Sequence, residues 1–196
     1  MNLKSIHLSF TRTVEVPKAL AGALCISAFT LMTALAAFVR VPLPFTPVPM
    51  TLQTLAVLLS AGFLGKRAVL SQAFYVTLGA CGLPIYSGAA FGVSHLLGPT
   101  GGYLAGFVVA AFAAGRLMED EDGSLISISL SMLAAALTIL LLGTAWLACL
   151  LRIDIIRAAG LGLLPFILPE LVKTGLATVI VWGWRRTINR KGVSRC

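Results

Sequence analysis

The chain has 196 residues, of which 58% are hydrophobic and only 11% are charged, and its formal net charge is +8. Soluble domains carry about 25% charged residues, so this composition and a mean hydropathy of +0.96 exclude an ordinary soluble protein. The basic residues lie near the termini and in short connections, a distribution that indicates orientation in a bilayer rather than nucleic-acid binding. We therefore expect an integral membrane protein.

The apolar segments predict an all-α protein with six transmembrane helices in a single domain, residues 1–196, with short cytoplasmic tails at about 1–18 and 185–196. In chain order the predicted helices cover residues 19–39, 51–64, 68–81, 100–118, 125–151 and a last helix that starts near Pro165 or Pro169 and ends near 184. The second and third are short, because 14 residues of helix reach only about 21 Å and the hydrocarbon core is about 30 Å thick. Irregular segments must fill the remaining space.

Two such segments interrupt the apolar pattern. Residues 40–50 contain four prolines, which cannot form a helix, and Thr51 is a candidate N-cap of the next helix. Residues 83–107 contain six glycines, two prolines and no charged residue. Irregular backbone is tolerated inside a membrane protein where it lines a cavity or is covered by protein. The glycine-rich segment is thus either a plug or one wall of a ligand site. The acidic loop at 119–124 is typical of solvated surface. Residues 152–169 are typical of a short amphipathic or irregular connection.

The distribution of Lys and Arg predicts the orientation of the helices. With an even number of spans, one side of the membrane carries eleven basic residues and the other carries three, Arg40, Arg152 and Arg157; the eleven are Lys4, Arg12, Lys18, Lys66, Arg67, Arg116, Arg185, Arg186, Arg190, Lys191 and Arg195. Both termini are then cytoplasmic. The proline-rich segment, the glycine-rich segment and the start of the last helix all fall on the outer side, which favours an outward-facing pocket.

Polar residues in these outer segments are the candidate ligand contacts. The strongest is Glu170 with Lys173, since residues at i and i+3 share a helix face and ionisable groups within membrane helices usually face a partner or a cavity. A purely structural ion pair is the alternative. The N–H groups that start the fourth helix, around Gly101, suit a carboxylate, although glycine there also suits close helix packing. The other candidates are Gln53, Tyr86, Ser87, Gly88, His95 and Tyr103.

Catalysis and metal binding have little support in the sequence. The four cysteines show neither CxxC nor His-paired spacing, so we expect free thiols, no metal site and no cofactor. Ser87 with His95 permits an intramembrane serine protease, but nothing nearby resembles an activated nucleophile. Nucleotide-binding motifs and paired acids are absent from the sequence.

Three motifs resemble one family. PFTPVPMTLQTLAVLLSAGFLG (residues 44–65), GACGLPIYSGAAFGVSHLLGPTGGYLAGF (79–107) and LPFILPELVK (164–173) are similar, in this order, to segments of BioY, the biotin-specific substrate-binding (S) component of energy-coupling factor (ECF) transporters. The resemblance implies the S-component fold and capture of biotin from outside the cytoplasmic membrane. It also implies contact with the transmembrane coupling protein EcfT and with two ABC-type ATPases, which would hydrolyse the ATP.

The resemblance also implies roles for residues. Glu170 and Lys173 match the acid and the lysine that contact biotin in the family, although the family commonly has Asp at the first position. Gln53 and the glycine-rich segment match pocket positions. The small residues Ala19, Ala23 and Ser27 on the first helix match the family's contact with EcfT; on spacing alone they favour close helix packing of either kind. An S component for another vitamin, a membrane hydrolase and a structural subunit remain alternatives.

Overall fold

The computed structural model describes residues 17–119 and 124–191, which form eight α-helices, a 3-10 turn and a two-stranded ribbon. The helices are α1 (Lys18–Ala36), α2 (Gln53–Leu64), α3 (Ala68–Ala80), α4 (Val93–Leu96), α5 (Gly101–Leu117), α6 (Leu125–Leu151), α7 (Ile155–Gly162) and α8 (Leu164–Lys191). The ribbon pairs β1 (Arg40–Val41) with β2 (Met50–Thr51), and the 3-10 turn is Gly65–Arg67. Most of the predicted tails, residues 1–16 and 192–196, and most of the acidic loop lie outside the described residues.

The six predicted helices correspond to α1, α2, α3, α5, α6 and α8. The described residues contain two further short helices that were not predicted, α4 and α7. The predicted connection at 152–169 contains the short amphipathic helix α7, which buries Ala158 and Gly162, and the last residues of the connection belong to α8. The Asp154 carboxylate caps α7 by accepting from the Arg157 N–H at 2.9 Å. Ile155 and Ile156 are then left exposed on the outside of this helix.

Two predicted helix boundaries are wrong for identifiable reasons. Thr51 belongs to β2, and α2 begins at Gln53, whose N–H donates to Thr51 Oγ1 at 3.4 Å. The last helix continues to Lys191 rather than 184, because the Arg and Lys of the predicted tail are good helix formers. Pro169 is accommodated within α8, near its N-terminal end.

Four helical stretches of the described residues are long and apolar enough to cross a membrane: Ala19–Ala36, Gln53–Ala80, Leu125–Leu151 and Leu164–Thr187; Gly101–Leu117 is a shorter apolar helix. The second stretch does not run straight. It turns back at Gly65, which has a φ of 58°, so that α2 and α3 lie antiparallel. Hydrogen bonds from Gln53 to Tyr75 and from Gln72 to Ser60 join the two helices.

The outer surface of the bundle is apolar. Many large side chains on the outward faces of the long helices are exposed; eight of them are 54–72% exposed: Leu24, Leu31, Phe74, Ile126, Leu130, Leu141, Leu168 and Val172. In water such a surface would drive association, whereas hydrocarbon tails solvate it. The exposed surface therefore agrees with the composition in assigning this bundle to a membrane.

The bundle has two chemically different ends. At one end the ribbon, the glycine-rich segment and the first turns of α8 meet, since Lys173 Nζ donates to the Thr51 carbonyl at 2.9 Å. We call this the ribbon end. At the opposite end Lys66 pairs with Glu119 at 3.4 Å, and the rings of Phe63 and Trp184 lie 4.5 Å apart.

Candidate functional site

Glu170 and Lys173 form a buried ion pair on one face of α8, with only 5% and 7% of their surfaces exposed. Thr54 of α2 joins the pair: its hydroxyl accepts from Lys173 Nζ at 2.6 Å and donates to Glu170 Oε1 at 2.9 Å. Lys173 also donates to the Thr51 carbonyl. All of the ammonium hydrogens therefore have acceptors on α8, α2 and the ribbon.

The carboxylate of Glu170 is only half satisfied. Oε1 receives Lys173 and Thr54, but Oε2 is buried without a hydrogen-bond donor among the described residues. A buried polar atom that lacks its partner costs about 1–3 kcal/mol, and more when it is charged. This oxygen is therefore a strong acceptor for a ligand N–H group.

Gln53 is held in a fixed orientation at the start of α2. Its Oε1 accepts from Thr51 Oγ1 at 3.2 Å, and its Nε2 donates to the Tyr75 hydroxyl at 2.5 Å. Tyr75, which is fully buried, donates in turn to the Ile85 carbonyl at 3.2 Å. The chain of bonds fixes the glycine-rich segment relative to α2 and α3.

A cavity of about 50 Å³ lies at the ribbon end. Its walls come from the proline-rich segment, α2, the glycine-rich segment and α5, and its lining residues are Val48, Pro49, Thr51, Gln53, Thr54, Ser87, His95, Thr100, Tyr103, Leu104 and Phe107. Thr51 and Thr54 connect the cavity to the buried ion pair. Ser87 also lines the cavity, and its hydroxyl is buried without a partner among the described residues.

Four of the predicted contacts, Gln53, Ser87, His95 and Tyr103, line this cavity. The others, Tyr86, Gly88, Gly101, Glu170 and Lys173, are not among its lining residues. Tyr86 is fully buried behind His95, with the two rings stacked at 5.1 Å. Its hydroxyl donates to the Val76 carbonyl at 2.6 Å. Burial raises the pKa of Tyr86 to about 12, so it stays a donor at neutral pH.

At the start of α5, N–H groups that could bind a carboxylate are already bonded to the protein. The Gly101 N–H donates to the Gly98 carbonyl at 3.1 Å, and the Tyr103 N–H donates to the Thr100 carbonyl at the same distance. These amides are therefore not available to a carboxylate. Gly101 instead serves close packing, because a Cβ there would lie 1.7 Å from the Leu96 carbonyl oxygen.

Ser87 and His95 do not form a nucleophile–base pair. His95 Nε2 lies 3.0 Å from Thr100 Oγ1, and no hydrogen bond joins its ring to Ser87. Burial lowers the pKa of His95, which favours the neutral imidazole at physiological pH. The geometry thus gives the hydrolase interpretation no support.

A larger groove of about 350 Å³ lies between α1 and α3. It is lined by Ser27, Thr30, Leu31, Ala34, Phe74, Leu78, Leu83 and Ile85. The Thr30 hydroxyl is already bonded to the Ile26 and Ser71 carbonyls, both at 3.0 Å. The groove therefore has few groups that could orient a polar ligand, and the smaller cavity is the better candidate site.

Thr54 and Tyr75 are contributors that sequence reasoning missed. A threonine in an apolar helix and a tyrosine in another carry no distinctive signal by themselves. Thr54 lies 116 positions from the carboxylate it contacts, and Tyr75 lies 22 positions from Gln53. The motif TLQT, residues 51–54, was the available hint, because it places three polar side chains at the start of an otherwise apolar helix.

The fold is that of a known class of membrane proteins. A solved structure described as the S-component for biotin from an ECF-type ABC transporter matches this structure with a TM-score of 0.80 at 23% sequence identity, over 86% of this chain and 92% of that chain. The bundle therefore has the S-component fold. The model of the BioY family matches residues 9–190, and the chain belongs to that family, which confirms the resemblance seen in the motifs.

Curated relatives agree with this assignment. The "Probable biotin transporter BioY" of Pyrococcus horikoshii is 39% identical over 156 residues, 79% of this chain and 90% of the relative. The "Biotin transporter BioY" of Thermotoga maritima is 40% identical over 153 residues, 78% of this chain and 88% of the relative.

Proposed function

We propose that this protein captures biotin from the outer side of the cytoplasmic membrane and is the substrate-specificity component of an ECF transporter. The observation that carries the proposal is the buried Glu170–Lys173–Thr54 cluster, in which Glu170 Oε2 lacks a donor among the described residues and Thr54 also lines the cavity. Membership of the BioY family and the biotin transporters among its relatives support the choice of ligand.

The chemistry of biotin fits this cluster. Its ureido ring presents two N–H donors and one carbonyl acceptor, its thiophane ring is apolar, and its tail ends in a carboxylate. Glu170 Oε2 accepts a ureido N–H, Lys173 exchanges one of its present acceptors for the ureido carbonyl, and Gln53 does either. Leu104 and Phe107, which line the cavity, cover the apolar ring.

Ligand entry requires a rearrangement of the ribbon end. Small-molecule sites usually enclose about 300–1,000 Å³, whereas this cavity measures about 50 Å³. The two irregular segments that form its outer wall are the parts that must move. Gly88 and Gly92, both with positive φ, give the glycine-rich segment the backbone freedom for this.

The partners follow from the same assignment. We propose that six helices cross the membrane with both termini cytoplasmic, that biotin is cargo rather than a cofactor, and that the protein is not an enzyme. An EcfT-type protein and two ABC-type ATPases would then supply energy coupling. Ala19, Ala23 and Ser27, which are exposed on α1, are the proposed contact with the EcfT-type protein.

Equilibrium binding of biotin to the purified protein in lipid nanodiscs tests the proposed site. We expect high affinity for biotin, no binding of thiamin or riboflavin, and at least a tenfold weaker affinity in Glu170→Gln and Lys173→Met, since each removes a charge-assisted hydrogen bond. Thr178→Val is the matched control, because Thr178 is buried on α8 two turns further from the cavity and its replacement should leave the affinity unchanged.

Thermal unfolding of each variant separates loss of the site from loss of the fold. The double variant Glu170→Gln/Lys173→Met removes both charges, so no uncompensated buried charge remains to destabilise it. A folded double variant that binds biotin as tightly as the unmodified protein would show that the pair is structural only.

A further inference from the structure

A carboxylate ligand needs a cation that the cavity itself does not provide. None of the described residues that line it is Lys or Arg, and His95 has a lowered pKa. Lys173 is engaged by Glu170, Thr54 and the Thr51 carbonyl. The Gly101 and Tyr103 amides are bonded within their own turn.

Arg40 lies at the rim of this cavity. In the ribbon it is paired with Thr51, and directly opposed residues of an antiparallel pair project to the same face with their Cβ atoms about 4.5–5.5 Å apart. Thr51 lines the cavity, so the Arg40 side chain starts beside the cavity wall.

The guanidinium of Arg40 reaches across to the other wall. It lies on the backbone of Gly88, where a Cβ atom would be 2.2 Å from Nη1 and 2.8 Å from Cζ. Gly88 directly follows Ser87, whose buried hydroxyl lines the cavity without a partner among the described residues. Arg40 therefore bridges the two irregular segments that enclose the site.

This guanidinium is not neutralised by a carboxylate of the described chain. The ion pairs formed within residues 17–119 and 124–191 are Lys66–Glu119, Arg157–Asp154 and Lys173–Glu170. Arg40 is in none of them, and its side chain is exposed. A guanidinium presents its N–H donors in a planar fork that matches a carboxylate.

We propose that Arg40 binds the carboxylate of the ligand at the mouth of the cavity, while the uncharged ring end occupies the interior beside Glu170 and Lys173. This inference rests on the proposed function and adds the direction in which the ligand lies. The negative charge then stays near water at the rim, and only uncharged groups of the ligand enter the buried cluster.

The test measures four dissociation constants: biotin and biotin methyl ester, each with the unmodified protein and with Arg40→Gln. We expect Arg40→Gln to weaken biotin binding on the order of tenfold, the effect of one lost charge-assisted hydrogen bond, and to leave the methyl ester unchanged. The preference for biotin over its ester should therefore disappear in the variant. Arg40→Lys, which keeps the charge without the fork, should retain part of that preference.

Arg157→Gln is the matched control, because it removes an arginine that pairs with Asp154 on α7, away from the cavity lining. It should leave both affinities unchanged. Equal weakening of biotin and its ester by Arg40→Gln would overturn the proposal and make Arg40 a structural bridge to Gly88. A preference for biotin that persists in Arg40→Gln would also overturn it. Failure of the unmodified protein to bind either compound would instead reject the proposed function.

Discussion

At the scale of single residues, all three ammonium hydrogens of Lys173 are hydrogen-bonded, whereas one carboxylate oxygen of Glu170 is not. The ammonium group reaches Glu170, Thr54 and the Thr51 carbonyl, whereas Glu170 Oε2 has no donor within the described residues. A structural ion pair gains most when all its polar atoms are satisfied. The asymmetry therefore favours ligand binding over the purely structural alternative that the i, i+3 spacing left open.

Tyr75 is predicted to act on the ligand through Gln53. Tyr75→Phe removes the hydroxyl that accepts from Gln53 Nε2 and donates to the Ile85 carbonyl. We expect biotin affinity to fall several-fold, because the Gln53 amide loses the partner that fixes its orientation and a buried carbonyl loses its donor, at a cost of about 1–3 kcal/mol. Equilibrium binding to the purified variant measures this.

A double-mutant cycle checks that the effect passes through Gln53. In the Tyr75→Phe background, Gln53→Ala should cost less affinity than it does alone, since coupled residues are not additive. Additive losses would mean that Tyr75 acts on the glycine-rich segment and not through the amide.

At the scale of elements, glycine allows α5 and α6 to approach closely. A Cβ on Gly102 would lie 2.2 Å from the Trp146 Cβ and 2.8 Å from the Leu142 carbonyl oxygen, and one on Gly106 would lie 3.0 Å from the Ile139 Cα. Small residues are common at such interfaces, because packing rather than hydrophobicity holds membrane helices together. The Trp146 ring also donates to the Gly98 carbonyl at 2.9 Å, so the same contact anchors the glycine-rich segment.

Gly102→Val is therefore predicted to destabilise the bundle. The added side chain must displace α6 backbone, and overpacking costs typically 1–3 kcal/mol. We expect a lower midpoint of thermal unfolding in detergent and weaker biotin binding, because Tyr103 next to it lines the cavity. The control is Gly175→Ala on α8, where a Cβ has no neighbour within 4 Å; a midpoint as low as that of Gly102→Val would contradict the packing argument.

At the scale of the whole molecule, the two ends of the bundle carry different chemistry. The ribbon end holds the cavity and the candidate ligand contacts, whereas the opposite end holds Lys66 and Arg67 in the turn between α2 and α3. The exposed face of α1 extends between these ends. A protein of this form is suited to bind a ligand at one end and to contact a membrane partner along its side.

A large side chain on the exposed face of α1 is expected to reduce biotin uptake through the coupling module without changing the affinity for biotin. Ala23→Trp is expected to leave the biotin dissociation constant unchanged, because Ala23 is exposed and is not among the residues that line the cavity. Biotin uptake by cells that contain the coupling module should fall by an order of magnitude or more, since close approach of helices requires small residues. Leu24→Trp, on a neighbouring exposed face of the same helix, should keep uptake; equal uptake by both variants would remove Ala23 from the proposed contact.

The sequence alone determined the class of protein, the position of most helices and the shared face of Glu170 and Lys173. These properties depend on composition, on the length of apolar runs and on the helical repeat, which are local. The motifs were enough to indicate the family for the same reason, because each is a contiguous stretch of residues.

Only the tertiary structure decided which groups meet. Lys173 contacts a carbonyl 122 positions away, and Arg40 reaches Gly88 across the ribbon end. It also showed that the Gly101 amide is already bonded to Gly98, whereas the sequence left both an anion site and close helix packing open there. Contacts between distant segments depend on how the helices pack, so neither the partner of Glu170 on α2 nor the arginine at the cavity rim was visible in the order of the residues.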